Sequence, residues 1–429
     1  MLLISGTKDG FSLPMREAGP DTRGVQAPRV PFFALENACA DKAGCRMGPH
    51  DNLTSLTIRT VPLLFSEDAP LSKRYKFLAL LVLATLALAA CKGNGSTSQA
   101  PGGFPPVSPS GDHAQYVMAT DAGATCGGTP ALLTFSLGSA VTLASGNLTP
   151  FKNLTGAATK LNHPYSPFID NNGNVWVAND NGAASVTEYS VTATGNTAPS
   201  RTIAGALTTF NDPSGVFVAQ NTSGVNTWVF VTDYATNTID IFPATASGNV
   251  APTYQIAGVA TGLNEPWGIT LDSSGNIWVA NFGGHNVLEL PNPTSSTPGV
   301  YNTAPTVTIG GGTTTLGGPS DVYLDSHSDV WVADYSAKTL DEFTLGSYAS
   351  PYVRITSLAA DPTGIAVDSG GNIYDVEYSA YINIWMANSF GPGVNAIGGS
   401  PTYSIAGPAT KLACGTSVQV FSTGGTNDV

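Results

Sequence analysis

The chain is poor in charge. Only 11% of its 429 residues are Asp, Glu, Lys or Arg, and Lys plus Arg number 17 against 30 acidic residues. Residues 92–429 hold 7 basic and 22 acidic side chains, so 7 − 22 = −15, while the first 91 hold 10 and 8, or +2. Phosphate neutralisation needs clustered Lys and Arg, so no nucleic acid partner is expected. Cysteine is scarce, with 5 in all. No Cys-x-x-Cys, His-x-His or Glu-x-x-His spacing occurs, which gives a zinc site no support. A Gly-x-Ser-x-Gly elbow and a P-loop are also missing. Few stretches repeat apolar residues at helical spacing.

Gly (48) and Pro (30) are abundant instead. Both punctuate turns, so many short strands are expected rather than long helices. The longest apolar run, Phe77 to Ala90, is too short to span a membrane comfortably. It follows Lys73, Arg74 and Lys76 and ends Leu88-Ala89-Ala90-Cys91, the layout of an export signal. This resembles the lipobox of bacterial lipoproteins. The resemblance implies cleavage before Cys91, lipidation of Cys91 and a membrane anchor. Lys92 follows the cysteine where Asp would favour inner-membrane retention, which points to the outer membrane. The resulting division is an extension of doubtful status (1–70), the signal (71–91), a Gly/Ser/Pro-rich tether (92–113), a folded body (114–421) and a disordered tail (422–429). The distance of the signal from Met1 suggests a start near Leu71. A peptide from 1–70 in the precursor would refute that. Cys39 and Cys45 fall in this region and receive no role.

The body is repetitive. One pattern reads Asn-x-Pro-x-Gly, an apolar strand, Asp-x-x-Gly-Asn, then an apolar strand ending in Asn or Asp. Its prolines stand at 164, 213, 266, 319 and 362, spaced 49, 53, 53 and 43 apart. The best copy runs Asn264-Glu265-Pro266-Trp267-Gly268 through Asp272 and Gly275-Asn276 to Trp278-Val279-Ala280-Asn281. A second pattern carries Pro150, Pro199, Pro252, Pro305, Pro351 and Pro401 before a strand ending near Ile-Ala-Gly. Between them lies a short alternating strand such as Ile239-Asp240-Ile241-Phe242. Four strands in ~45–50 residues make one blade of a β-propeller. The Asp of Asp-x-x-Gly-Asn reads as hairpin chemistry, with Gly supplying positive φ.

The second pattern has one more copy than the first, which predicts how the ring closes. Leu412 to Val420 is a first strand with nothing after it. Tyr116-Val117-Met118-Ala119 and Leu132-Leu133-Thr134-Phe135 are a second and third with no first. The fold expected is all-β, a six-bladed propeller of four-stranded antiparallel blades whose last blade is composite, with no edge left open. Cys126 and Cys414 then fall at neighbouring strand ends. In an oxidising compartment a disulfide would lock the ring; the alternative is two buried thiols.

The five registered copies resemble NHL repeats over residues 114–421. NHL propellers bind proteins or RNA, act as extracellular sensors, and include a few enzymes. More distantly similar are the SMP-30/gluconolactonase and virginiamycin B lyase groups, which are metal-dependent. The resemblance therefore implies a fold more sharply than a function. His113, His163, His285 and His327 do not gather as the lyase resemblance would need.

One geometric expectation remains. The loop entering a first strand and the loop leaving a second share one face of a propeller, around the channel mouth. That rim collects Asn162, Asn211 and Asn264, then Asn179, Asp233, Asn281, Asp334 and Glu377, with Tyr165 and Trp267 beside them. Oxygen donors converging on an axis suit Ca²⁺, although no cofactor is predicted. Aromatics with amides suit a protein, peptide or glycan. The same Asn and Asp could equally cap strand ends. The expectation is a monomeric, lipid-anchored binding scaffold of the cell envelope with no catalytic residues. The alternative is a divalent-metal-dependent lyase or lactonase.

Overall fold

The computed structural model describes residues 116–421, apart from 124–125, 139–144, 181, 183, 191, 357, 388–396 and 399. The expected export signal (71–91) with Cys91, the expected tether (92–113) with His113 and the expected tail (422–429) lie outside the described residues. The body forms six separate sheets, each of four antiparallel strands and two with an added short parallel strand. In the first blade the strands are Pro164–Ile169, Val175–Asn179, Ser185–Tyr189 and Arg201–Ala204. The second to fifth blades begin at Pro213–Gln220, Pro266–Leu271, Pro319–Leu324 and Pro362–Val367. In the sixth, Gly415–Phe421 pairs with Tyr116–Asp121, which pairs with Ala131–Ser136 and then Lys152–Thr155. The last blade is thus composite. Each first strand touches the next, and the sixth touches the first, so the ring closes around a central channel. Cys126 and Cys414 are joined across that closing blade, Cα to Cα 5.8 Å apart.

The core lies between blades. Phe168, Val216, Val229 and Ile239 of adjacent sheets form one buried cluster, and the other junctions repeat it. Strands such as Val175–Asn179 and Ile277–Asn281 are buried along their whole length because each sheet packs both faces against its neighbours.

The hairpin Asp does two jobs. Asp170 Oδ1 accepts from the N–H groups of Asn172 and Asn174, and its Oδ2 accepts from Trp176 Nε1 at 3.2 Å. Asp272 with Trp278, Asp325 with Trp331 and Asp368 with the Tyr374 hydroxyl repeat the arrangement. That explains why an aromatic stands six residues after each of these aspartates.

A seam not expected from the repeats runs round the outside. The loop before each of several fourth strands pairs in parallel with the outer strand of the preceding blade. Gly146 meets Ile405, Gly195 meets Leu154, Gly248 meets Ile203, and Gly299–Tyr301 meets Tyr254–Ile256. The following residue is Asn in all four. Asn147, Asn196, Asn249 and Asn302 each accept one backbone N–H from the turn after that outer strand, at 2.7–2.8 Å. A Cβ on Gly156, Gly205, Gly258 or Gly407 would collide with these side chains. The free edges of the outer strands are covered in this way.

Candidate functional site

The first strands line the channel. Ser166, Phe168, Val216, Ile269, Asp321, Val322, Tyr323, Ile365 and Gln419 face a cavity with about 20 Å³ open to the centre of a water-sized sphere. That is room for one or two waters, not for a sugar or a peptide. The Pro-x-Gly glycines keep it narrow. A Cβ at Gly268 would lie 2.2 Å from Asp321 Oδ1, and one at Gly364 would strike the Ser417 backbone.

Asp321 occupies the position of those glycines in the fourth blade. Its carboxylate accepts from Val322 N–H (2.9 Å), Ile365 N–H (3.1 Å) and the Ser417 hydroxyl (3.5 Å). Burial pushes it up to about 7, against the lowering pull of those donors.

Around one mouth of the channel the residues marked by the repeats divide into two groups. Asn179, Asp233, Asn281, Asp334 and Glu377 all have 0% of their surface exposed. Their oxygens accept from the backbone of the loop entering the first strand. Asn179 takes Asn162 N–H (3.1 Å), Asp233 takes Asn211 N–H (2.7 Å), and Asn281 takes Asn264 N–H (2.7 Å). Asp334 holds Gly317 and Gly318, while Glu377 holds Ala359 and Ala360. Asp121 does the same for Ala413 and Cys414 in the composite blade. The two halves of the expected rim are therefore partners of one another. Their oxygens are engaged as loop caps and do not converge on the axis.

Metal-dependent relatives would require converging oxygen donors. Among the described residues of the channel, Asp321 is the one carboxylate, and it is already bonded on both oxygens. The donor set does not fit a divalent cation at the axis. A separate group, Asp325, His327 and Asp329, lies at a hairpin turn on the opposite rim. There Asp325 is spent on the turn itself.

Tyr165 and Trp267 behave differently. They fill the middle position of Pro-x-Gly, which elsewhere holds a hydroxyl that stitches neighbouring blades. Ser214 donates to Pro266 O (2.9 Å), Ser320 to Pro362 O (2.8 Å), Thr363 to Gly415 O (2.9 Å) and Thr416 to Pro164 O (2.5 Å). The first and third blades have given up this stitch for aromatic rings. Trp267 reaches over the second blade to Tyr165, with ring centroids 5.5 Å apart and nearly perpendicular. It also meets Phe282 (5.4 Å), Tyr234 (6.1 Å) and Tyr335 (6.1 Å). The result is an aromatic plate across the mouth, with Tyr165 buried and the other four rings partly exposed.

Tyr234, Phe282 and Tyr335 were not among the residues expected. Each directly follows the Asn or Asp that ends a second strand, so the signal was one position beyond where the pattern stops. Acids surround the plate. Burial, then the neighbouring Glu265 carboxylate, pushes the Tyr234 phenol up to about 12. Burial and then Asp361 raise the Tyr335 phenol in the same manner. Between the first and second blades the equivalent pair is Asp180 with Asp212. Burial, then the charges of Asp180 and Asp233, push Asp212 up to about 6. His163 Nδ1 lies 2.7 Å from Asp180, and the His163 ring packs edge-on against Tyr165 at 5.0 Å.

Residues 109–309 match the family model described as SMP-30/Gluconolactonase/LRE-like region. No curated protein matches the chain. A protein of unknown function from Bacteroides caccae is 10% identical, covering 71% of this chain and 98% of its own, with a TM-score of 0.49. A chain of the nidogen/laminin complex is 13% identical over 71% and 97%, with a TM-score of 0.49. Virginiamycin B lyase from Staphylococcus aureus is 15% identical over 52% and 67%, with a TM-score of 0.37. The propeller assignment rests on the sheets themselves, not on these scores.

Proposed function

We propose that this chain is a binding propeller that engages its ligand through the aromatic plate at the channel mouth. The observation that carries the reading is the loss of the inter-blade hydroxyl stitch at Trp267, whose partly exposed ring meets Tyr234, Phe282 and Tyr335 at the mouth. A repeat that sacrifices a buried hydrogen bond, worth about 1 kcal/mol, for aromatic surface is serving something other than stability. Trp and Tyr are also the residues that dominate binding energy at interfaces. Metal-dependent lactonase or lyase chemistry is disfavoured, because the oxygens that could gather a cation are committed to backbone N–H groups.

The apolar run before Cys91 supports export and lipid anchoring of this propeller at the bacterial envelope, the Gly/Ser/Pro-rich segment 92–113 acting as its tether. Replacing Cys91 by Ser is expected to shift the protein from the membrane to the soluble fraction; unchanged membrane association would refute the anchor.

Site-specific photocrosslinking in cells tests the binding reading. A photoreactive side chain at Tyr335 is expected to give a discrete adduct. One at His327, on the opposite rim, is expected to give none. Adducts from both rims alike, or from neither, would overturn the assignment of the mouth as the binding face.

A further inference from the structure

We infer that the mouth face docks a polypeptide segment bearing arginine or lysine, with a cationic side chain lying on the Trp267 plate. This rests on the binding reading above and names its partner's chemistry.

Three observations carry it. The first is charge. Asp212 and Glu265 stand beside the plate, their backbone carbonyls accepting from the Tyr234 and Phe282 N–H groups at 2.9 and 3.1 Å. Asp361 lies against Lys338, and Asp180 is held by His163, whose ring packs on Tyr165. The repeat does not require these acids. The residue before the conserved proline is Asp212, Glu265 or Asp361 in three blades, but His163 or Gly318 in two others.

The second is ring chemistry. Trp267, Tyr234, Phe282 and Tyr335 meet at centroid separations of 5.4–6.1 Å. The faces of such rings carry negative potential that attracts ammonium and guanidinium groups. Lys338 already shows the preference of this neighbourhood for a cation, its ammonium lying 3.0 Å from Asp361 while its side chain stays 54% exposed. A partner's guanidinium can compete for that carboxylate, because an exposed pair holds weakly.

The third is shape. The cavity among the first strands is water-sized, which favours an occupant that lies across the face instead of entering it. An extended segment presenting several basic side chains matches acids distributed over four loops. The net negative charge of residues 92–429, 7 − 22 = −15, favours the same cationic partner.

The test uses the purified full chain and synthetic dodecapeptides of alternating Gly and Arg, with Gly-Glu and Gly-Ser peptides as controls. Binding is read by calorimetry and by tryptophan fluorescence. The Arg peptide is expected to bind, and to weaken as salt rises from about 50 to about 500 mM. Trp267→Ser is expected to weaken it about tenfold, and the double variant Asp212→Asn/Glu265→Gln by a similar factor. Unchanged melting temperatures verify that both variants are folded. Arginine amide at equal charge is expected to bind far more weakly, which separates a polypeptide partner from a small cation. Failure of the Arg peptide to bind, or equal binding of the Glu or Ser peptide, overturns the inference. So does equal binding by Trp267→Ser. A specific photocrosslink at Tyr335 alongside such a failure would leave the binding face standing and remove only its cationic partner.

Discussion

The two ends of the same hairpins obey different rules. At the turn end, Asp170, Asp272, Asp325 and Asp368 make nearly the same bonds in four blades, each closing a turn and holding a ring. At the mouth end, the middle position of Pro-x-Gly is Ser or Thr in four blades and Tyr or Trp in two. The residue after the second strand is Asp180, Tyr234, Phe282, Tyr335 or Tyr378. Repetition at the turn end reflects a problem every blade shares, namely unpaired backbone N–H groups in a tight hairpin. At the mouth end the capping side chains repeat in the same way, and the variation is confined to these two positions, which have no such shared problem to solve. Where a repeat protein stops repeating on one face, that face is the place to look for binding.

The comparison can be broken first at the turn end. Asp170→Ala removes the acceptor for two backbone N–H groups and for Asn226, and leaves Trp176 Nε1 buried without a partner. The expected loss is about 3 kcal/mol, read by urea denaturation, with peptide binding at the mouth unchanged. A loss of binding at intact stability would erase the distinction between the two ends.

A smaller effect concerns pH. Burial pushes Asp240, Asp321 and Asp375 up to about 7. The unfolded chain releases these protons near pH 4. Folding therefore takes up protons between about pH 4 and 7, and stability falls as pH rises through that window. The melting temperature is expected to be higher at pH 5 than at pH 8. Asp321→Asn should flatten the slope, since the amide cannot ionise. A melting temperature that climbs steadily from pH 5 to 8 would contradict this placement of the buried acids.

Much of the fold was legible because it is written in periodic chemistry. Proline spacing, the Asp-x-x-Gly-Asn hairpin and the orphan strands at 116–135 and 412–420 imply six blades with a composite last one. The outer seam was not legible. Its Gly-Asn pairs lie in loops read for their prolines alone, and the bond that gives Asn196 its meaning reaches back 38 residues to Ala158 in the neighbouring blade. The site was half legible. Position identified Asn179, Asp233 and Asn281 as rim residues, but which way their oxygens turn depends on backbone N–H groups that sequence does not orient. Tyr165 and Trp267 were legible as aromatic neighbours of the expected rim. Tyr234, Phe282 and Tyr335 were not, because aromatic residues after a strand end are ordinary until a ring 5–6 Å away gives them company.

The central claim is that Trp267 serves binding and not the ring. Restoring the residue of the other blades, in the variant Trp267→Ser, tests it most directly. The new hydroxyl can donate to the next blade's carbonyl, as that of Ser214 does. The account predicts a melting temperature equal to or above that of the parent. A melting temperature lower by about 8 °C or more, the mark of a lost structural plug, would contradict it.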